Sequence, residues 1–139
     1  MIPPPPRSTL DRASAASDVY KRQESSLAAY RFARGCIDAG HTLFRVFFFR
    51  DGVQHGSGLN IATASEANLP RSWQELAVVH QVDLVVCVSS ALRRGIIDEK
   101  EASRHGLAGS NLRPGFEISG MGQLVEACIR SDRVLSFGG

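Results

Sequence analysis

After residue 24 the polar and apolar positions of this chain change period several times. Leu27, Tyr30, Ala33 and Ile37 recur at three- and four-residue spacing and Gly40 follows as a stop signal, which predicts a helix over 24–39. From His41 to Arg50 the chain holds Leu43, Phe44, Val46, Phe47, Phe48 and Phe49. An aromatic and β-branched run this short reads as a buried strand rather than a core helix, and Asp51-Gly52 ends it. Residues 54–70 are rich in Gly, Ser, Asn and Ala, a loop long enough to carry function, such as a lid or a partner-binding segment.

Pro70 suits a helix start, and Trp73, Leu76, Ala77 and His80 share one face over 71–80. Val82 to Val88 is almost uninterruptedly apolar, the pattern of a strand covered on both faces in a parallel sheet. Ser89 to Gly95 reads as a short serine-capped helix closed by glycine, and Asp98 caps a second short helix toward His105. Gly106 to Gly120 reads as loop. Leu124, Val125, Cys128 and Ile129 lie on one face of a helix over 123–130, and Arg133 to Phe137 is a last short strand. Helix and strand alternate, so the expected fold is α/β, with helices on both sides of a mostly parallel sheet.

Residues 1–23 break with this pattern. They open with four consecutive prolines, Pro3 to Pro6, and continue with Ser, Ala, Asp, Arg and Lys without sustained apolar periodicity. A secretory signal needs a continuous apolar stretch, and Asp11 and Asp18 argue against an acid-poor transit peptide. The segment reads either as a disordered leader or as sequence foreign to the domain, which then occupies 24–139.

Composition narrows the class. The 139 residues, 43% hydrophobic and 22% charged, suit one domain with one core. A net charge of +2 is too weak for a chain-wide nucleic-acid footprint. The strongest apolar run, Leu43 to Phe49, is interrupted by Arg45 and falls short of a membrane span. Three cysteines without a Cys-x-x-Cys pair suggest neither a disulfide framework nor a zinc site, and a reducing cytoplasm is expected.

Among those cysteines, Cys36 and Cys128 each precede an isoleucine inside a predicted helix and read as small packed hydrophobes. Cys87 lies near the carboxyl end of a predicted parallel strand, directly before a short helix, at the edge where open α/β sheets bind ligands. A helix start favours a thiolate, the nucleophile of sulfur chemistry, and Arg93 and Arg94 add cationic field. Val-Val-Cys-Val is equally the pattern of an inert strand cysteine, and topology alone leaves both readings open. His41, His55, His80 and His105 are too scattered for a metal pair, so no metal is expected. Gly56-Ser57-Gly58 lacks the Gly-Lys-Ser/Thr ending of a phosphate loop, so no nucleotide cofactor is expected. Asp98, Glu99 and Glu101 are explained by a helix dipole without acid–base chemistry.

Three segments carry a resemblance: Phe47-Phe48-Phe49-Arg50-Asp51-Gly52-Val53, Cys87-Val88-Ser89-Ser90-Ala91-Leu92-Arg93-Arg94-Gly95 and Asn111-Leu112-Arg113-Pro114-Gly115-Phe116. With them the chain resembles the TusD-like sulfurtransferase subunits of the DsrE family from about Ser25 to Phe137. The resemblance implies a three-layer α/β/α fold with flavodoxin-like strand order. It also implies a persulfide carried on Cys87, with Ser89, Ser90, Arg93 and Arg94 in supporting positions. Sulfur would come from a TusA-like donor and pass to a TusE-like acceptor, ending in 2-thiolation of a tRNA wobble uridine, with tRNA touched only indirectly. TusB-like and TusC-like subunits would complete a heterohexamer. Two alternatives are a DsrE-type subunit of a sulfur-oxidation complex and a structural subunit without catalysis. A redox-sensing thiol would want a resolving cysteine near Cys87. Such subunits begin with an apolar strand, and here 1–23 stands in its place, so the first strand is expected to be replaced and its neighbours left unpaired.

Overall fold

The structure is a computed structural model that describes residues 19–64 and 68–138. The chain divides into two compact units, one made by the segments up to Phe44 and from Val125 onward, the other by Arg45–Leu124.

In the first unit, helix α1 runs from Val19 to Asp38 and so begins inside the segment read as a leader. The rest of that reading falls on residues 1–18, outside the described residues. The expected stop at Gly40 is present: Gly40 takes φ +89°, His41 N–H donates to Cys36 O at 2.9 Å, and Gly40 N–H donates to Ile37 O at 3.0 Å. This is a Schellman closure, which glycine favours because φ is positive. Phe32 packs on Phe137 with ring centroids 5.5 Å apart. The guanidinium of Arg130 lies 4.9 Å over the Phe44 ring.

The second unit holds the sheet. Strands β1 (Arg45–Phe48), β2 (Asp83–Cys87) and β3 (Phe116–Ser119) are parallel and neighbour one another in chain order, with β2 in the middle. Between the strands lie a 3-10 helix at Arg50–Gly56, α2 at Leu69–His80, α3 at Val88–Arg93 and α4 at Glu99–Arg104. Helix α5, Met121–Arg130, follows β3.

Several expectations shift. The strand expected over 41–50 is confined to Arg45–Phe48, because the chain turns into the 3-10 helix at Arg50, whose φ is +51°. Part of the expected loop 54–70 is therefore helical. The last strand lies elsewhere than expected. Residues 133–137 are irregular among the described residues, whereas Phe116–Ser119, read as loop, pairs with β2 from Leu84↔Phe116 to Cys87↔Ser119. Phe137 finds an aromatic partner on a helix instead of a hydrogen-bonded ladder.

Nor are the neighbours of the expected first strand left open. Arg45↔Asp83 through Phe48↔Val86 are paired directly, so each strand satisfies the other's backbone groups. The Arg45 guanidinium, 7% exposed, seals the start of this pair by binding Asp83 Oδ2 at 3.1 Å and Gln123 O at 2.8 Å.

Helix α2 matches its sequence signals closely. Asn68 Oδ1 accepts from Arg71 N–H at 3.2 Å as the N-cap, Pro70 occupies the first turn, and Trp73 and Leu76 are each 2% exposed. Trp73 meets Phe48 edge-on at 5.6 Å, and Phe116 lies 5.5 Å from Phe48 on another side. Asp98 caps α4 as expected, accepting from Glu101 N–H at 2.8 Å. Glu101 is buried and pairs with Arg104 at 3.1 Å.

Close backbone approach makes two glycines obligatory. A Cβ on Gly56 would stand 2.9 Å from Val86 Cγ2, and one on Gly58 would stand 2.9 Å from Asn111 O. Gly56→Ala is therefore expected to destabilise the fold by about 1–3 kcal/mol through overpacking, more than the few tenths of a kcal/mol gained by stiffening the unfolded chain. Urea unfolding checks this: the midpoint should fall, and in a Val86→Ala background Gly56→Ala should cost less than in the parent, because the methyl that its Cβ would meet is gone.

Candidate functional site

Cys87 is the last residue of the central strand, and its neighbours along β2 explain its position. Leu84, Val85 and Val86 are 2%, 1% and 0% exposed. Successive side chains point to opposite faces, so both faces of β2 are covered. Cys87 itself is 7% exposed and has extended backbone angles, φ −61° and ψ 124°, as the N-cap of α3. The expected serine cap is thus displaced: α3 starts at Val88, no side chain caps it, and Ser89 lies one residue inside. Cys87 takes that place because the strand passes into the helix without an intervening turn.

The first-turn N–H groups of a helix have no intrahelical acceptor and carry a partial positive charge. Beside this junction lies a second one. Cys87 is in register with Ser119, the end of β3, and Gly120 leads from there into α5 at Met121. Two strand-to-helix junctions thus stand side by side at the carboxyl edge of the sheet, the edge at which open α/β sheets receive ligands.

The four supporting residues separate into two pairs. Ser90 Oγ accepts from Arg50 N–H at 2.9 Å, and Ser90 O accepts from Arg94 Nη1 at 3.2 Å. Arg94 also donates from Nε and Nη2 to Asp51 Oδ1 at 3.2 and 3.1 Å. Ser90 and Arg94 therefore hold α3 against the 3-10 helix. Ser89 and Arg93 are exposed. Among the described residues no side-chain hydrogen bond reaches Cys87 Sγ. Arg50 and Asp51 enter this arrangement although the sequence assigns them no role beyond a strand end and a place in a resemblance segment. An exposed-looking Asp-Gly after a strand gives no hint of a partner that lies 43 residues away.

Cys36, Cys87 and Cys128 are all free thiols; Cys36 is half-buried and Cys128 exposed rather than packed. Cys128 falls on the outer side of its helix together with Ile129, 78% exposed, so the apolar stripe read over 123–130 is not a core face.

The Asn111–Phe116 segment, which helped carry the resemblance, acts as a frame. Asn111 donates from Nδ2 to Gly95 O at 2.7 Å and accepts at Oδ1 from Ile97 N–H at 2.8 Å, fixing the chain just after α3. Arg113 donates to Ser57 O at 3.2 Å and Asn60 O at 2.8 Å. An open cleft of about 500 Å³ lies between these loops, lined by Gln54, Ser57, Leu59, Asn60, Arg94, Gly95 and Asn111. Its Asn and Arg groups are engaged in the bonds just given, and Cys87 does not line it. Among the described residues no group of three or more His, Cys, Asp and Glu side chains is placed to hold a metal, and no described helix is long and apolar enough to cross a membrane.

His55 lies against the sheet on the 3-10 helix. Burial, with Arg113 adding to it, lowers its pKa from 6.5 to about 4. Its ring stacks on Phe48 at 5.6 Å, and Nδ1 lies 3.2 Å from Gly52 O. A carbonyl only accepts, so the neutral ring carries its proton on Nδ1.

The DsrE/DsrF-like family matches residues 15–137. A DsrE protein of Allochromatium vinosum is 47% identical over 119 residues, covering 86% of this chain and 91% of that protein. Proteins named sulfurtransferase TusD homolog from Vibrio parahaemolyticus and Vibrio vulnificus are 49% and 48% identical, each over 86% of this chain and 90% of the relative. The crystal structure of the ychN protein from E. coli shares the fold with a TM-score of 0.59 at 22% identity, covering 80% of this chain and 85% of that one.

The His55 shift has a measurable consequence. Its folded pKa lies below the unfolded value, so the neutral ring's contribution is complete above pH 6.5 and is lost as pH falls from 6.5 toward 4, levelling off below that. The loss amounts to roughly 3 kcal/mol. Urea midpoints measured across this range should fall with acidity, and His55→Asn should flatten the slope.

Proposed function

Since the chain belongs to the DsrE/DsrF-like family, we propose that it is a sulfurtransferase subunit in which Cys87 accepts a persulfide sulfur and passes it to a protein partner. The observation that carries this reading is the position of Cys87: a thiol at the N-cap of α3, on the end of the central parallel strand, beside the start of α5. Relatives of nearly half identity bear the name sulfurtransferase over almost their whole length.

The chemistry suits this place. The Cys87 thiolate attacks the outer sulfur of a donor persulfide. A bond forms between Sγ and that sulfur while the donor's S–S bond breaks, and the electron pair leaves on the donor's own thiolate. The outer sulfur keeps its proton. The acceptor's thiolate then repeats the exchange on Cys87, which returns to a thiolate. Neither step changes the total oxidation level, so a persulfide donor and a thiol acceptor suffice.

Assembly with related subunits is part of the proposal. Val78 and Val79 on α2 are 78% and 71% exposed and Val125 and Ile129 on α5 are 55% and 78% exposed, more uncovered apolar side chain than a free helix face favours. TusB-like and TusC-like partners in a cytoplasmic heterohexamer, a TusA-like donor, a TusE-like acceptor and a tRNA wobble uridine as the final destination are the reading that the resemblance favours.

Mass spectrometry tests it. The protein treated with glutathione persulfide should gain sulfur on Cys87, and Cys87→Ser should lose that label. Exposed Cys128 reacts with small donors wherever it leads, so the measurement belongs in a Cys36→Ala/Cys128→Ser background. A folded protein of that background that takes up no sulfur at Cys87 would sink the proposal.

A further inference from the structure

The turn that follows β1 contains a feature the proposed function does not use. Arg50 has φ +51°, a left-handed conformation that is strained for a non-glycine residue. Such a conformation persists only where its surroundings hold it. Here two connections do so, and both lead to the helix that Cys87 begins: Arg50 N–H donates to Ser90 Oγ at 2.9 Å, and Asp51 Oδ1 accepts from Nε and Nη2 of Arg94 at 3.2 and 3.1 Å. Arg94 closes the loop by donating from Nη1 to Ser90 O at 3.2 Å.

We infer that Asp51 and Arg94, with Ser90, form a clamp that positions Cys87 for sulfur transfer by fixing the far end of α3 against the 3-10 helix. The near end of α3 is already fixed, because Cys87 belongs to β2 and is in register with Ser119. A six-residue helix held at one end can tilt about its first residue; held at both it cannot, and the start of α3 keeps its direction relative to β2. The clamp also divides the two adjacent arginines. Arg94 is committed to Asp51, whereas Arg93 is exposed.

Stability does not account for the pair. Its side chains are 27% and 42% exposed, and ion pairs so open to water contribute little to folding. Removing one partner should leave the protein folded, which makes the positioning role separable from a structural one. Asp51, Ser90 and Arg94 act through the helix and are positioning residues; Cys87 alone touches the transferred sulfur.

The inference rests on the sulfur-transfer reading, and the experiment separates the two. In the Cys36→Ala/Cys128→Ser background, Asp51→Asn, Asp51→Glu and Arg94→Met are compared with the parent by urea midpoint, by alkylation of Cys87 with iodoacetamide, and by sulfur uptake from glutathione persulfide across donor concentrations. For Asp51→Asn and Arg94→Met the midpoints should stay near the parent's. Alkylation of the otherwise buried Cys87 should rise about fivefold as α3 loosens, while the maximal rate of sulfur uptake should fall about tenfold and the half-saturating donor concentration should move less than twofold. Asp51→Glu should recover most of the uptake. Opposite changes in alkylation and uptake are the signature, because simple opening of the fold raises both. Two rates that move together, or neither moving in folded variants, would overturn the clamp. A parent that alkylates at Cys87 yet never takes up sulfur would overturn the sulfur-transfer reading instead, while the alkylation comparison still decides whether the clamp restrains α3.

Discussion

The pairing of β2 with a strand on each side is the constraint on which the rest depends. Leu84, Val85 and Val86 bury their side chains almost completely, each contributing on the order of 1.5–3 kcal/mol as an upper estimate. That burial also takes the strand's N–H and C=O groups away from water. Only ladders on both edges satisfy them, and β1 and β3 supply those ladders from Arg45↔Asp83 to Cys87↔Ser119. Cys87 is the point where the central strand stops. The same register sets β3's passage into α5 beside it and β1's passage into the 3-10 helix one residue earlier, at Phe48↔Val86. The candidate site is a consequence of three parallel strands ending together.

Around that edge, side chains take over where ladders stop. Asn111 binds both Gly95 O and Ile97 N–H, and Arg113 N–H donates to Gly56 O at 2.7 Å while its guanidinium gathers the carbonyls of Ser57 and Asn60. Gly58 N–H approaches Asn111 O at 2.6 Å, which the lack of a side chain on residue 58 permits. These contacts hold together the loops that flank Cys87's helix, and they give the Asn111–Phe116 segment a framing role although it contains no reactive group of its own. Arg113 also contributes to holding His55 neutral, so an electrostatic feature and a loop-holding feature share one residue.

Two adjacent arginines illustrate how position divides one chemistry. Arg93 and Arg94 are indistinguishable as residue types, yet Arg94 lies at the end of α3 where it meets Asp51, and Arg93 points to solvent. The same guanidinium chemistry thus serves to hold a helix end in Arg94 and stays open to solvent in Arg93. The exposed valines of α2 sit apart from this pair in the sequence and suit contact with protein rather than with sulfur.

Much of this was determined by local order in the chain. The 3.6-residue spacing over α1 and α2, the glycine stops, the Asp98 cap and the continuous apolar run of β2 each follow from interactions within a few residues, and the Cys87-to-Gly95 segment is one of three that carry the family resemblance. What tertiary structure decided are the features that depend on a distant partner. Phe116–Ser119 is a strand because β2 offers it a ladder, while Val134 and Leu135, with stronger strand propensity, have none among the described residues. Direct pairing of β1 with β2 replaced the expected gap because unsatisfied backbone groups close on whatever edge is in reach. Asp51 joined Arg94, and Cys87 rather than Ser89 became the N-cap, through the meeting of strand ends that no local pattern encodes.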